Sequence, residues 1–246
     1  METTTDAPSF ARSRRPRRPE DPARIWAPLA DLTEAAVAAA GSGTVAITRG
    51  FDRNSRQRAK ALRELLNQQD VPAIEVTPAP GSDRLLADVD VTAVVNLIGA
   101  GSWQPYRVAA QLRAPVLTPK PGDAAAEPVT RDVIALVGDE SGKRDVALSH
   151  VAVRSEDPAA SRLVLTHDGE QLTVAGGWLT VAVQGHELQV QVGGADAAER
   201  TITTGEIRVE AFDAPHRLVR DELPIADFEG AVTFTAEPEG LVVRPV

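Results

Sequence analysis

Thr92-Ala93-Val94-Val95-Asn96-Leu97-Ile98-Gly99-Ala100-Gly101-Ser102 is the stretch that decides the fold. Its first seven residues are mostly aliphatic or β-branched with no polar alternation, and they run straight into a pair of glycines. That is how a strand buried on both faces of a parallel sheet reads just before it turns into a helix. Residues 104–112 then read as the helix and 115–118 as the next strand. Working backward, 73–77 and 44–48 are short strands of the same kind. Residues 56–69 place Ala59, Leu62, Leu65 and Leu66 on one face and charges on the other, the pattern of a crossover helix. Alanine-rich 27–40 forms a leading helix closed by Gly41-Ser42-Gly43, and 83–89 a short helical piece. Alternating strands and helices over 24–120 predict a small parallel, Rossmann-like α/β domain.

Beyond residue 131 the period changes from helical to alternating. Runs at 132–137, 146–153, 162–166, 178–183, 187–192, 206–211, 231–236 and 241–244 are separated by Gly, Asp and Pro turns, with hairpin signals at Asp168-Gly169 and Gln184-Gly185. This predicts an antiparallel β-sandwich over 131–246. The fold class expected is therefore α/β followed by all-β. Residues 121–130 have linker composition, and 1–22, rich in Thr, Pro and Arg, read as a disordered basic tail.

Composition removes several function classes. The 246 residues carry a formal charge of −9, yet Arg12, Arg14, Arg15, Arg17 and Arg18 crowd into the tail and leave the remainder at −14. An acidic body argues against a nucleic-acid-binding surface but not against a local phosphate pocket. The arm is either solvated or makes a weak contact with an anionic membrane or an acidic partner. There is no cysteine, which excludes disulfides and thiolate chemistry, and the four histidines are scattered singly. Neither a membrane span nor a secretion signal is read, so the expected location is cytoplasmic. The closing strands read as sandwich edges, which permit a homodimer.

In an open parallel sheet, ligands lie at the carboxyl ends of the strands. The loop with Gly99, Gly101 and Ser102 lets backbone N–H groups approach a phosphate at a helix N-terminus, or serves turn geometry alone. The next loop offers Lys120 to a phosphate, Gly122 for flexibility and Asp123 to accept a hydroxyl proton or hold a metal; the same residues make an ordinary linker turn. Asp221 and Glu222 are adjacent carboxylates that could bind Mg²⁺, or a charged hairpin loop. No G-x-S-x-G elbow, Walker loop or full GxGxxG is present.

The order of elements resembles the diacylglycerol kinase and sphingosine kinase superfamily, whose fold is shared with NAD kinases. The carriers are Val94 to Gly101 followed by Val108-Ala109-Ala110-Gln111-Leu112, and the closing segment. That segment comprises Ile207-Arg208-Val209-Glu210, Ala214-Pro215-His216-Arg217-Leu218-Val219-Arg220-Asp221-Glu222-Leu223-Pro224 and Leu241-Val242-Val243. The resemblance implies an interdomain cleft, ATP and Mg²⁺ if the protein is active, and an acidic metal residue at Asp221 or Glu222. Where the family has Gly-Gly-Asp-Gly-Thr, however, this chain has Ile98-Gly99-Ala100-Gly101-Ser102, and the family's Pro-x-Gly-Thr-x-Asn-Asp turn survives only partly in Pro121-Gly122-Asp123. Phosphoryl transfer depends on positioned phosphates and a metal. The expectation is therefore a catalytically degenerate relative that binds a nucleotide or lipid-related ligand. The alternatives are an active ATP-dependent lipid kinase and a non-enzymatic scaffold, the last favoured by a cleft filled by Trp103 or Tyr106.

Overall fold

The computed structural model describes residues 28–77, 86, 88–99, 102–120, 127–139, 142–195, 198–221 and 223–246, with backbone only at 28 and 223–229. Helix α1 (Pro28–Ala40) leads into β1 (Thr44–Thr48), then α2 (Arg53–Asn67) and β2 (Ala73–Val76). Strand β3 (Val91–Asn96), helix α3 (Gln104–Leu112) and β4 (Val116–Thr118) follow. β1 pairs in parallel with both β2 and β3, and β3 with β4. Successive side chains of a strand point to opposite faces. Val45 and Ile47 accordingly join α1 and α2 in one core, whereas Ala46 joins α3 in another, with Val94 and Val116 beside it. Burial on both faces is why these strands lack polar alternation.

α2 begins three residues before the period expected from sequence. Asp52 sits as its N-cap in extended backbone and accepts a hydrogen bond from the Ser55 amide at 2.8 Å. That side-chain acceptor satisfies an otherwise orphan N–H, so the polar residues Arg53 to Ser55 can be helical.

The antiparallel half comprises β5 (Val129–Gly138), β6 (Arg144–Ala147), β7 (His150–Ser155), β8 (Arg162–His167), β9 (Glu170–Ala175), β10 (Trp178–Gln184), β11 (Glu187–Gly193) and β12 (Arg200–Thr204). Two long strands close it, β13 (Glu206–Arg220) and β14 (Leu223–Pro245). The inward side chains of these strands, among them Leu163 of β8, Leu179 of β10, Leu188 of β11, Ile207 of β13 and the fully buried Phe234 of β14, make the sandwich core. The β8–β9 hairpin turns on Asp168 and Gly169, both at positive φ, as expected for a two-residue turn. At the β10–β11 hairpin Gln184 pairs with Glu187, so the turn is Gly185-His186, one residue later than the sequence signal.

Two corners shape the sheet, one within the antiparallel half and one that joins it to the parallel half. β13 pairs with β8 up to Phe212 and with β7 from His216, the register breaking where Asp213 adopts φ 71°. Such bulges bend a strand and let it change partners. β14 pairs with β13 and β5, shifts register between Glu237 and Leu241, and ends with Val243–Pro245 parallel to β4. At that corner a Cβ on Gly240 would run into Val133, so the close approach requires glycine. One continuous sheet therefore runs through both halves of the chain. The run 131–246 accordingly lends its last residues to the α/β sheet, and β5 starts at Val129, inside the segment read as linker.

Candidate functional site

The connections out of β1 and β3 diverge. α2 packs on one face and leads to β2, while α3 packs on the opposite face and leads to β4 on the other side of β3. This is a topological switch point, where the strand ends leave a crevice between diverging loops.

The crevice floor is tightly bonded. Buried Thr48 donates from Oγ1 to the Val95 carbonyl at 2.9 Å, and its own carbonyl accepts from the Leu97 amide at 2.9 Å. Asn96 is also buried, and its Oδ1 accepts from the amides of Ile98 (3.0 Å) and Gly99 (3.2 Å). This Asx turn carries the backbone into Gly99 at φ 94°, a region closed to most side chains, and a Cβ there would meet no atom within 4 Å. Glycine at 99 thus answers a backbone demand rather than a steric one.

The loops above the floor converge on the end of β2. The Arg49 amide donates to the Val76 carbonyl at 3.0 Å. The Gln104 side-chain amide donates to the very next carbonyl, Thr77, at 2.7 Å. Because β1 lies between β3 and β2, this bond reaches from the start of α3 past the end of β1. Below it Gly50 donates to Ser55 Oγ at 2.7 Å, and Arg49 pairs with Glu75 at 2.7 Å, which also holds Arg63 at 3.1 Å.

Two helices point their N-termini at this edge, and they differ. α2 is closed by its own Asp52 carboxylate. α3 starts at Trp103 with no side-chain cap. Neither has an acidic residue in its first turn; Arg53 and Arg56 occupy that of α2 and Arg107 that of α3. A cation there opposes the helix dipole by roughly 0.3–1 kcal/mol, an effect that an anion between the helices would offset.

Gly99, Ser102 and exposed Lys120 share this edge, since Lys120 lies two residues past the end of β4 and its amide donates to the Val246 carbonyl at 2.7 Å. Gly101, Gly122, Asp123 and Glu222 lie outside the described residues. Asp221 sits at the β13–β14 turn with φ 46°. Its buried carboxylate accepts from the Leu148 amide (3.0 Å), the Ser149 amide (2.9 Å) and Ser149 Oγ (2.9 Å), and its amide donates to the His150 carbonyl at 3.0 Å. Those donors satisfy the buried Asp221 carboxylate. Among the described residues no group of three or more His, Asp or Glu side chains is arranged to hold a metal.

Trp103 is half exposed, and Tyr106 packs against the core beneath α3. A surface groove of about 690 Å³ lies between α1 and α2, lined by Leu29, Thr33, Val37, Ala61 and Leu65, away from this chemistry. Sequence reasoning missed Asn96, Thr48 and Gln104. Only Asn96 had a local signal, an Asn at a strand end with Gly three residues on.

No family model matches the chain, and no curated protein matches it. Among solved structures it is similar to yeast NADH kinase in complex with NADH, at 13% sequence identity and a TM-score of 0.47, over 83% of each chain. The fold class, a parallel α/β sheet continuous with an antiparallel β-sandwich, stands on the pairings above. Among the described residues no helix is long and apolar enough to cross a membrane.

Proposed function

We propose that the protein binds the phosphate groups of a nucleotide or lipid-related ligand in the crevice at the ends of β1 and β3, as a degenerate, non-transferring relative of the diacylglycerol kinase-like fold. The observation that carries this reading is the uncapped N-terminus of α3 beside Gly99, in a turn held open by Asn96. Backbone N–H groups there and the cations Arg53, Arg56, Arg107 and Lys120 supply what a phosphate needs. Phosphoryl transfer would further require an acid to hold magnesium, and Asp221 already spends its carboxylate on three donors of the β6–β7 connection. The lipid kinase reading therefore leans on Asp123 and Glu222, and the membrane contact of the arginine tail and a homodimer remain proposals of the sequence.

Calorimetry with tripolyphosphate, ADP and ATP, each with magnesium and with EDTA, tests it. The expected result is saturable binding of all three that survives EDTA. Absence of heat with millimolar ligand, from folded protein, overturns it.

A further inference from the structure

Leu65 belongs to the apolar period of α2 with Ala59, Leu62 and Leu66, yet those three are fully buried and Leu65 is 36% exposed. It lines the groove between α1 and α2, together with Leu29, Val37 and Ala61. Glu34 of α1 and Glu64 of α2, both exposed, line the same groove, and no described cation does. The ion pair of Glu64 is a long one, to Lys60 at 3.8 Å. Aliphatic side chains beside two carboxylates fit an occupant that is both apolar and cationic.

We infer that this groove seats the chain's own residues 12–26, with Ile25 and Trp26 against its aliphatic side chains and the arginines against its carboxylates. The inference is independent of the phosphate reading above. Arg12, Arg14, Arg15, Arg17 and Arg18 stand together with no acid among them. Residues 1–27 hold six arginines against Glu2, Asp6, Glu20 and Asp21, a net +2, which leaves −11 on the remainder of a chain of net charge −9. Opposite charges therefore face each other between the segment and the body. The segment also ends where the groove lies, since Leu29 and Ala30 are lining residues and α1 opens on Pro28. Proline disfavours helical backbone in the residue before it, which favours a chain that folds beside α1 over one that lengthens it. From Leu29 to Val37 the helix rises about 12 Å. At up to about 3.3–3.6 Å per residue, Trp26 lies within about 10 Å of Leu29, and Arg18 has ample chain to reach either carboxylate. Two copies meeting groove to groove would instead set these carboxylates against one another.

The test leaves Trp26 as the sole tryptophan of the full chain through Trp103→Phe and Trp178→Phe and follows its quenching by acrylamide. Trypsin cleavage between Arg12 and Arg24 is followed beside it in the unaltered chain. Trp26 should be shielded, and cleavage should be several-fold slower than in a peptide of residues 1–27. Leu65→Lys should expose Trp26 and bring cleavage close to the rate in the peptide. Arg14→Glu, Arg15→Glu, Arg17→Glu and Arg18→Glu together should do the same, and adding Glu34→Arg and Glu64→Arg should restore the protection, which a merely structural effect would not. Quenching and cleavage equal to those of the peptide overturn the inference. Shielding indifferent to Leu65→Lys and to the charge exchange overturns the groove as the seat. Shielding that rises with protein concentration, with a dimer mass in sedimentation, overturns it in favour of a second copy.

Discussion

The side-chain amide of Gln104 donates to the main-chain carbonyl of Thr77 at 2.7 Å and so ties the first turn of α3 to the end of β2, across the intervening β1. This contact fixes the start of α3 at the crevice edge. Gln104→Ala should leave the sheet intact and cost about 1 kcal/mol of stability, the ordinary net value of one hydrogen bond. Its larger effect should be on tripolyphosphate affinity, measured beside the melting temperature. Unchanged affinity would detach the loop from the site.

Gly99 sits at φ 94° with open space where a Cβ would go. Gly99→Ala should therefore destabilise by about 1–2 kcal/mol through backbone strain alone. Asn96→Ala, which strips the buried acceptor from two amides, should cost about 1–3 kcal/mol. Chemical denaturation of the two variants reads both values, and a neutral Gly99→Ala would show that the turn is not strained.

Asp221→Ala leaves the amides of Leu148 and Ser149 without their acceptor, and should lower stability by about 2–3 kcal/mol. Magnesium should not raise the melting temperature of the unaltered protein. A magnesium-dependent rise that vanishes in Asp221→Asn would return this residue to metal binding.

Glu237 lies between Arg113 and Arg144 at the seam of α3, β6 and β14; its bond to Arg113 measures 2.7 Å, and Arg144 also donates to the Ala110 and Gln111 carbonyls at 3.1 and 2.9 Å. Burial pushes its carboxyl upward, but the hydrogen bonds and charges of Arg144 and Arg113 outweigh burial and hold it below the ordinary 4.5. A depressed carboxylate contributes stability that is present above that value and lost as pH falls through its lower folded value. Acid titration of stability should show a step below pH 4.5 that is reduced in Glu237→Gln. An identical profile would exclude Glu237 from the seam's acid response.

His216 is fully buried where β13 changes partners, with Nδ1 2.8 Å from the Ala214 carbonyl. Burial lowers its pKa below 6.5, against a smaller opposing effect of that carbonyl. The unfolded chain then binds the proton more readily, so stability is full above pH 6.5 and declines as pH falls toward the folded value. His216→Gln should flatten this slope, and denaturation midpoints at pH 7 and just below 6 measure it.

Much of the α/β half was legible because its signals are local. The 3.6-residue period of Ala59, Leu62 and Leu66 marked α2, and the unbroken apolar run into Gly99 marked β3. The reading failed where a distant group intervenes. Residues 146–153 read as one strand, yet they divide into β6 and β7, because the Asp221 carboxylate, 73 residues away from Leu148, captures the amides that would have continued the ladder. At the candidate site Gly99, Ser102 and Lys120 could be named from the loops alone, whereas Thr48 and Gln104 could not, since their partners Val95 and Thr77 lie 47 and 27 residues away.

By itself the sequence determined the order of elements, the change from helical to alternating period near residue 131, and the glycine turn after β3, because each depends on residues within a few positions of one another. Tertiary structure alone decided that β14 leaves the sandwich to pair with β4, and that Asp221 serves a turn. It also decided that Arg49 and Gln104 bond to the successive carbonyls of Val76 and Thr77 where β2 ends. Those outcomes are set by which buried N–H and C=O groups find partners across the folded chain, and local pattern carries no record of that choice.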